Sequence, residues 1–417
     1  MNASEPGTPS AERTVFRNGH VFDGRGSEPT KADVAVAGGV IVDVGPGLEG
    51  DVEVDCDGQL LTPGLFDCHV HFMADGDFGP NTHANTPFST NFFLAAERMA
   101  RTLACGITSI REAGGTDLGV KEARDRGLIP GPRMQLSIAI LSQTGGHGDN
   151  WAVCGAHLPG IMDPHPGRPG NIVDGPEEMR RKVRELIRAG ADVIKVCTSG
   201  GVLSPRDDPR HAHFATDELD MLVAEASAAH RFVMAHAQAT EGIKNAVRAG
   251  IRSIEHGIWL DDEAIELMLE HGTYLVPTLI APRGVIEAAE RGVDLPEAIV
   301  EKARVVVDDH RDSVRRAIEA GVKVAMGTDS GVTPHGQNLN EFRHLVDLGM
   351  SPSEALVSAT ATAAELLGVD DQLGSIEPGK RADLVRFDNR SGQGLDVSDL
   401  RSRVEAVHQD GELVSAG

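Results

Sequence analysis

His69 and His71 flank Val70 in the stretch GLFDCHVHF. On a strand, positions i and i+2 project from one face, so both imidazoles can reach one metal ion. Taken alone, the pair reads equally well as two structural or surface histidines. His236 closes the apolar run Phe232-Val233-Met234-Ala235, and His256 follows the apolar stretch from Ile251 to Ile254. A single histidine at a strand end is usually a hydrogen-bonded polar residue. Two of them on successive strand ends point towards metal ligation. Asp329 follows a third apolar run, in VAMGTDSG, and a carboxylate buried there needs a partner. Capping the next helix is the alternative, which Pro334 and Gly336 make less natural. Lys195, in ADVIKVCTSGG, is set among Val193, Ile194 and Val196, where an unpaired ammonium is costly to bury. The chain holds only eight lysines, so this one is no default surface cation.

Such residues need a frame that brings distant strand ends together. From about Leu65 to Leu367 a helix-like segment repeatedly ends at a glycine, and a short apolar strand follows. Gly106, Gly190, Gly250, Gly272 and Gly321 occupy these junctions, where helix C′ glycines belong. One helix also has start signals: Asp174 as cap, Pro176 in the first turn, then Glu177 and Glu178. Repeated units of this size imply parallel strands with crossover helices. About 300 residues of them suit a (β/α)8 barrel better than an open sheet, which stays open as an alternative. Arg111-Glu112, Lys195, His256 and Asp329 all fall at or near the C-terminal ends of their strands, the end that carries active sites in parallel α/β folds. The segments 142–176 and 204–215 would emerge on that face as lids or substrate contacts.

Both ends of the chain read differently. TVFRNGHVFDG, ADVAVAGGVIVDVG and DVEVDCDGQLLTPG form a meander, with turns expected at Asn18-Gly19, Gly38-Gly39 and Asp57-Gly58. GSIEPGKRADLVRFD and VEAVHQDGELVSAG resume that style near the C-terminus. The expected division is therefore a composite β domain from 1–64 and 368–417 around a barrel at 65–367.

A net charge of −24 argues against nucleic acid and against an anionic membrane surface as partners. Five cysteines with no CxxC pair make a disulfide framework or zinc knuckle unexpected and fit a reducing, cytoplasmic setting. MNASEPGTPSAERTVF has no apolar core of signal-peptide length.

The ordered set HxH, Lys195, His236, His256, Asp329 resembles the binuclear-metal subtype of the amidohydrolase superfamily. PGLFDCHVHF, GGHG, SGGV, IEHG and GTDSG are further similar to its branch of prolidases, Xaa-Arg/Lys carboxypeptidases and ochratoxin-hydrolysing amidases. The resemblance implies a (β/α)8 TIM barrel with a small β-sandwich from both termini, and a homo-oligomer. It also implies that Lys195 is carboxylated by CO2 and bridges two divalent ions, which would remove the cost of burying its ammonium. His69, His71 and Asp329 would hold one ion, and His236 and His256 the other. Zinc suits these ligands, with cobalt, manganese or nickel as substitutes. A metal-bridging hydroxide would attack an amide or peptide bond of a dipeptide or N-acyl amino acid, with Asp329 as general base. His147 matches a family histidine near the substrate carbonyl or carboxylate. Gln238 stands where several relatives carry a tyrosine, and can donate a hydrogen bond without supplying a phenol. In SPRDDPRHAHF, Arg206 or Arg210 could receive a substrate carboxylate, and Asp207 or Asp208 a basic side chain; a solvated loop with internal ion pairs is the alternative. A lactonase, organophosphate or cyclic-imide hydrolase could use the same centre, and Lys195 would also serve a Schiff-base lyase.

Overall fold

The computed structural model describes residues 12–76, 84–204, 206–293, 295–389 and 395–416. The first residues to become strands are those of the predicted meander. They join the C-terminal strands in one eight-stranded sheet, ordered Glu412–Ala416, Val404–Gln409, Leu384–Phe387, Leu60–Pro63, Arg13–Val21, Thr30–Ala37 and Val40–Gly45, with Val52–Asp55 also paired to Arg13–Val21. A single sheet path is thus found, rather than two separate sheets of a sandwich. Its shape follows from Arg13–Val21. Thr14 to Arg17 pair with Val52–Asp55, and His20 and Val21 pair with Leu60–Pro63, so two strands share one edge in succession.

Between those two pairings the register shifts, and Asn18 takes φ 58°. The expected Asn18-Gly19 hairpin is therefore a bulge inside a strand, while Gly38-Gly39 and Asp57-Gly58 do form turns. Phe16, Val34, Ile41, Leu61 and Leu384 pack as this sheet's own core.

The middle of the chain is α/β. Leu65–Val70, Ile107–Glu112 and Arg133–Leu136 form a parallel sheet of three strands. Ile140–Leu141, Val193–Cys197, Phe232–Ala237, Ser253–His256 and Tyr274–Val276 form a parallel sheet of five. The ladder breaks at Ser137–Ala139, where Ile138 takes φ 69°. On the other side, residues 323–330 contact both sheets without forming an assigned strand. Leu275 donates to the Lys323 carbonyl, Cys68 to Met326 and His71 to Ser330. Helices fill the crossovers, and all five predicted junction glycines have positive φ.

Asp174 does not cap the helix Pro176–Arg188. Gly175 holds that position, and the Asp174 carboxylate instead accepts from Thr144. The five cysteines are free thiols. Among the described residues no helix is long and apolar enough to cross a membrane.

Candidate metal centre

The strand Leu65–Val70 is buried on both faces, as expected of a central parallel strand. It starts one residue beyond the terminal-sheet strand Leu60–Pro63, so the HxH pair is anchored to both sheets. Asp67, two residues before His69, fixes its far end. Its carboxylate accepts from the His69 and Thr328 amides, from the Thr328 hydroxyl at 2.6 Å and from Asn338 at 2.7 Å. Thr328 precedes Asp329, whose own amide donates to the His69 carbonyl. The first strand and Asp329 are thereby tied together. Burial pushes the Asp67 carboxyl up to about 6.

His69, His71 and Asp329 converge: Asp329 Oδ1 lies 3.4 Å from His69 Nε2 and 3.2 Å from His71 Nε2. One ligand atom from each falls within 4.8 Å of the others, a spacing that suits one ion. His256 stands beside them, its ring 5.1 Å from that of His69 and 4.6 Å from that of His236. Lys195 lies among these side chains on the floor of the same cavity, and its Nζ is buried with no hydrogen-bond partner.

The outer nitrogen of each imidazole is engaged. His69 Nδ1 donates to Glu255 Oε2 at 2.8 Å, and His71 Nδ1 to the Gly114 carbonyl at 2.7 Å. His256 Nδ1 meets Thr278 Oγ1 at 2.7 Å. The acceptors at His69 and His71 leave the lone pair of the neutral ring on Nε2, and His256 Nε2 is likewise free when its Nδ1 donates to Thr278. His236 is arranged the other way: Nε2 donates to the Gly200 carbonyl at 3.0 Å, leaving the lone pair on Nδ1.

Burial holds His69, His236 and His256 well below the usual imidazole range, so they are neutral, the ligating form. At His71 burial acts in the same direction, but the hydrogen bond and charge of Asp329 outweigh it and raise the pKa. Desolvation also lowers Lys195. His256 and Asp329 take φ 73° and 57°, as does Thr278 at 54°. Left-handed backbone at non-glycine residues is costly, and here it clusters at the candidate ligands. Neutral nitrogens, a carboxylate and an orphaned amine form a donor set that fits a pair of divalent ions.

Above this centre opens a cavity of about 570 Å³. Its wall is largely apolar and includes Ile140, Trp151, Leu158, Val202, Ile258 and Val285. Gln238 reaches it with a buried Oε1 that has no partner. His147 lies flat on His236, with ring centroids 4.2 Å apart and planes 18° apart. Arg206 is at the mouth, 5.4 Å over the Trp151 ring. Arg210 is not brought into the cavity; it covers the Trp259 ring at 5.2 Å. Asp207 is turned inward and bound by protein donors, and Asp208 caps its own turn through the Arg210 amide. Sequence reasoning did not find Asp67, Glu255, Thr278 or Lys302. Thr328 and Asn338 for Asp67, His69 and Arg111 for Glu255, His256 for Thr278 and Asp207 for Lys302 are partners remote in sequence, and no local spacing marks them.

Residues 60–415 match the Amidohydrolase family, and the chain belongs to it: it is a hydrolase. The matching solved structures carry a TIM barrel into the fold class. Ochratoxinase from Aspergillus niger is 38% identical over 371 residues, covering 85% of this chain and 75% of that protein. The structure of a Xaa-Pro dipeptidase with bound methionine aligns with a TM-score of 0.87 at 34% identity, covering 97% of this chain and 100% of the other. A prolidase complexed with N-methylphosphonate-L-proline gives a TM-score of 0.87 at 36% identity, again over 97% and 100%.

Proposed function

We propose that this hydrolase cleaves the amide bond of a dipeptide or N-acyl amino acid, using two divalent ions held in the barrel, 65–367, which the terminal segments 1–64 and 368–417 brace as a second domain. One observation carries the reading: the buried, unpartnered amine of Lys195 beside His69, His71, His236, His256 and Asp329. Burial lowers the pKa of the Lys195 amine, and the neutral amine is the form that adds CO2, losing a proton and gaining a carboxylate. The resulting carbamate would be a shared anionic ligand, with His69, His71 and Asp329 on one ion and His236 and His256 on the other. Zinc fits the nitrogen and oxygen donors, and cobalt, manganese or nickel would substitute. When bound, the ions would supply an activated water and polarise the scissile carbonyl.

The remaining work falls to protein groups. The Asp329 carboxylate, beside both His69 and His71, takes the proton of the attacking water and delivers it to the leaving amine. Gln238, through its side-chain NH2, and the His147 ring face the substrate carbonyl and carboxylate, and Arg206 meets an anionic end at the cavity mouth. Ile140, Leu158, Val202 and Val285 exclude water from the apolar portion.

The test is a panel of Xaa-Xaa dipeptides and N-acyl amino acids offered to protein reconstituted with zinc, with and without chelator. Turnover that chelation abolishes and metal restores is expected. Lys195→Ala should lose both metal and activity, and short-chain carboxylic acids with added metal should restore part of each. A Lys195→Ala protein with full activity and unchanged metal content would rule out the carbamate.

A further inference from the structure

Helix Glu297–Ala320 carries Lys302, whose contacts lead back towards the metal centre. Lys302 Nζ donates to the carbonyls of Gly201 at 3.0 Å and Ser204 at 2.7 Å, to that of Asp207, and to Asp207 Oδ1 at 3.1 Å. All four acceptors belong to the segment 201–207, which forms no helix or strand among its described residues. The Asp207 side chain is 3% exposed. It accepts from the Gly201 amide at 2.9 Å and from the Ser204 hydroxyl, and lies 3.4 Å from His147 Nδ1. His147 Nδ1 also meets Ser204 Oγ at 2.7 Å. Gly201 is pressed against the imidazole: a Cβ there would stand 2.7 Å from His147 Nε2. Gly200, just before the segment, supplies the carbonyl that orients His236, and the segment itself supplies Val202 and Arg206 to the cavity wall.

A loop with this little regular structure owes its shape to side-chain bonds, and a buried carboxylate needs its cation. We infer that Lys302 is a positioning residue of the active site: through Asp207 and the Gly201 and Ser204 carbonyls it fixes the loop that holds His147 over His236 and shapes the substrate cavity. Asp207 is accordingly an anchor for the loop, occupied by Lys302 and three neighbours, and not a receptor for a basic substrate side chain. The catalytic consequence rests on the proposed reading of His147 as a substrate contact; the conformational consequence does not.

The experiment separates the two. In zinc-reconstituted holoenzyme, Lys302→Met should raise amide hydrogen exchange at least ~tenfold across 201–208 and 145–148. Zinc stoichiometry and exchange in the remainder of helix Glu297–Ala320 should not change, and Lys302→Arg should restore part of the protection. With a dipeptide or N-acyl amino acid that the enzyme turns over, Lys302→Met should raise KM by ~tenfold and leave kcat within about threefold. In a His147→Ala background the same substitution should add less than about twofold, because the two residues act as one unit. Should Lys302→Met fail to fold, Asp207→Asn keeps the side chain's shape and carries the same readouts. Unchanged exchange in both segments, or effects on KM that multiply in the double variant, would overturn the inference. A panel without turnover would count against the dipeptide and N-acyl amino acid reading alone, since the exchange arm still decides for Lys302.

Discussion

His69 can serve an ion through Nε2 because Glu255 holds its other nitrogen, and Glu255 is itself held on three sides. Its Oε1 accepts from Arg111 Nη2 at 2.8 Å and from the Ser253 hydroxyl at 2.6 Å, while Oε2 accepts from His69 Nδ1 at 2.8 Å. Arg111 in turn donates to the Cys68 carbonyl and to Ser253. The whole group is buried, so the carboxylate and guanidinium depend on one another. Glu255→Gln leaves the shape nearly intact but removes the anion. We expect metal affinity to fall ~10–100-fold, as for the loss of an outer-shell partner to a ligand histidine. We also expect unfolding free energy to drop by about 3–5 kcal/mol, because the Arg111 charge is left buried and unpaired. Competition against a chromogenic chelator reads the first and urea unfolding the second; unchanged chelator competition would show that Glu255 does not set the tautomer. The six ligand candidates were legible in the sequence because histidine, aspartate and lysine at the ends of apolar runs are unusual. Glu255 was not, since strict strand alternation would turn it away from its neighbour His256. The left-handed backbone of His256 breaks that alternation, and both side chains reach His69.

At the scale of elements, the strand Leu65–Val70 carries His69 and ends one residue before His71, and its register is set where it leaves the terminal sheet. Gly64 forms that junction. Its amide donates to the Asp383 carbonyl, and a Cβ at this position would lie 2.8 Å from Thr108 Cγ2 and 2.9 Å from Asp383 Cβ. Thr108 sits on the neighbouring barrel strand and Asp383 just before the terminal strand Leu384–Phe387, so neither can retreat without moving a sheet. Gly64→Ala should therefore cost ~1–3 kcal/mol by overpacking. The loss would show as a lower urea midpoint; an unshifted midpoint would mean the junction is slack. Junction glycines were readable at Gly106, Gly190, Gly250, Gly272 and Gly321, where a helix stripe ends beside a strand. Gly64 has no such signal, because what crowds it is Thr108 and Asp383, remote in sequence. The bulge at Asn18 and the break in the parallel ladder at Ile138 were hidden for a related reason. Both are settled by pairing with distant strands, whereas the dipeptide Asn18-Gly19 by itself favours a hairpin turn.

For the whole molecule, the net charge of −24 says little about acid stability, which turns on the groups that burial has shifted. His213, His344 and His408 are each held at about 4, primarily by burial, and each has a buried Nδ1 without a partner. A depressed imidazole pKa means that the unfolded chain binds the proton first. The stability these histidines supply is full above their unfolded value near 6.5 and is lost as pH falls from there through 4. His310 and His335, also pushed to about 4 chiefly by burial, add to the same trend. Two carboxyls oppose it: burial raises Asp67 to about 6 and Glu341 to about 8, so each favours the folded state as acid is added. Five imidazoles outweigh two carboxyls, and net proton uptake on unfolding is expected between pH 6.5 and 4. The unfolding free energy should fall across that interval. Urea titrations with chelator present would isolate this term from metal release, which is itself driven by acid. His344 and His408 are the variants to use, since neither contacts a ligand candidate. His344→Gln and His408→Gln should each flatten the slope by up to ~1.4 kcal/mol per pH unit. A double variant whose slope matches that of the unaltered protein would show that these two imidazoles titrate alike in the folded and unfolded chains, and that its acid sensitivity lies elsewhere.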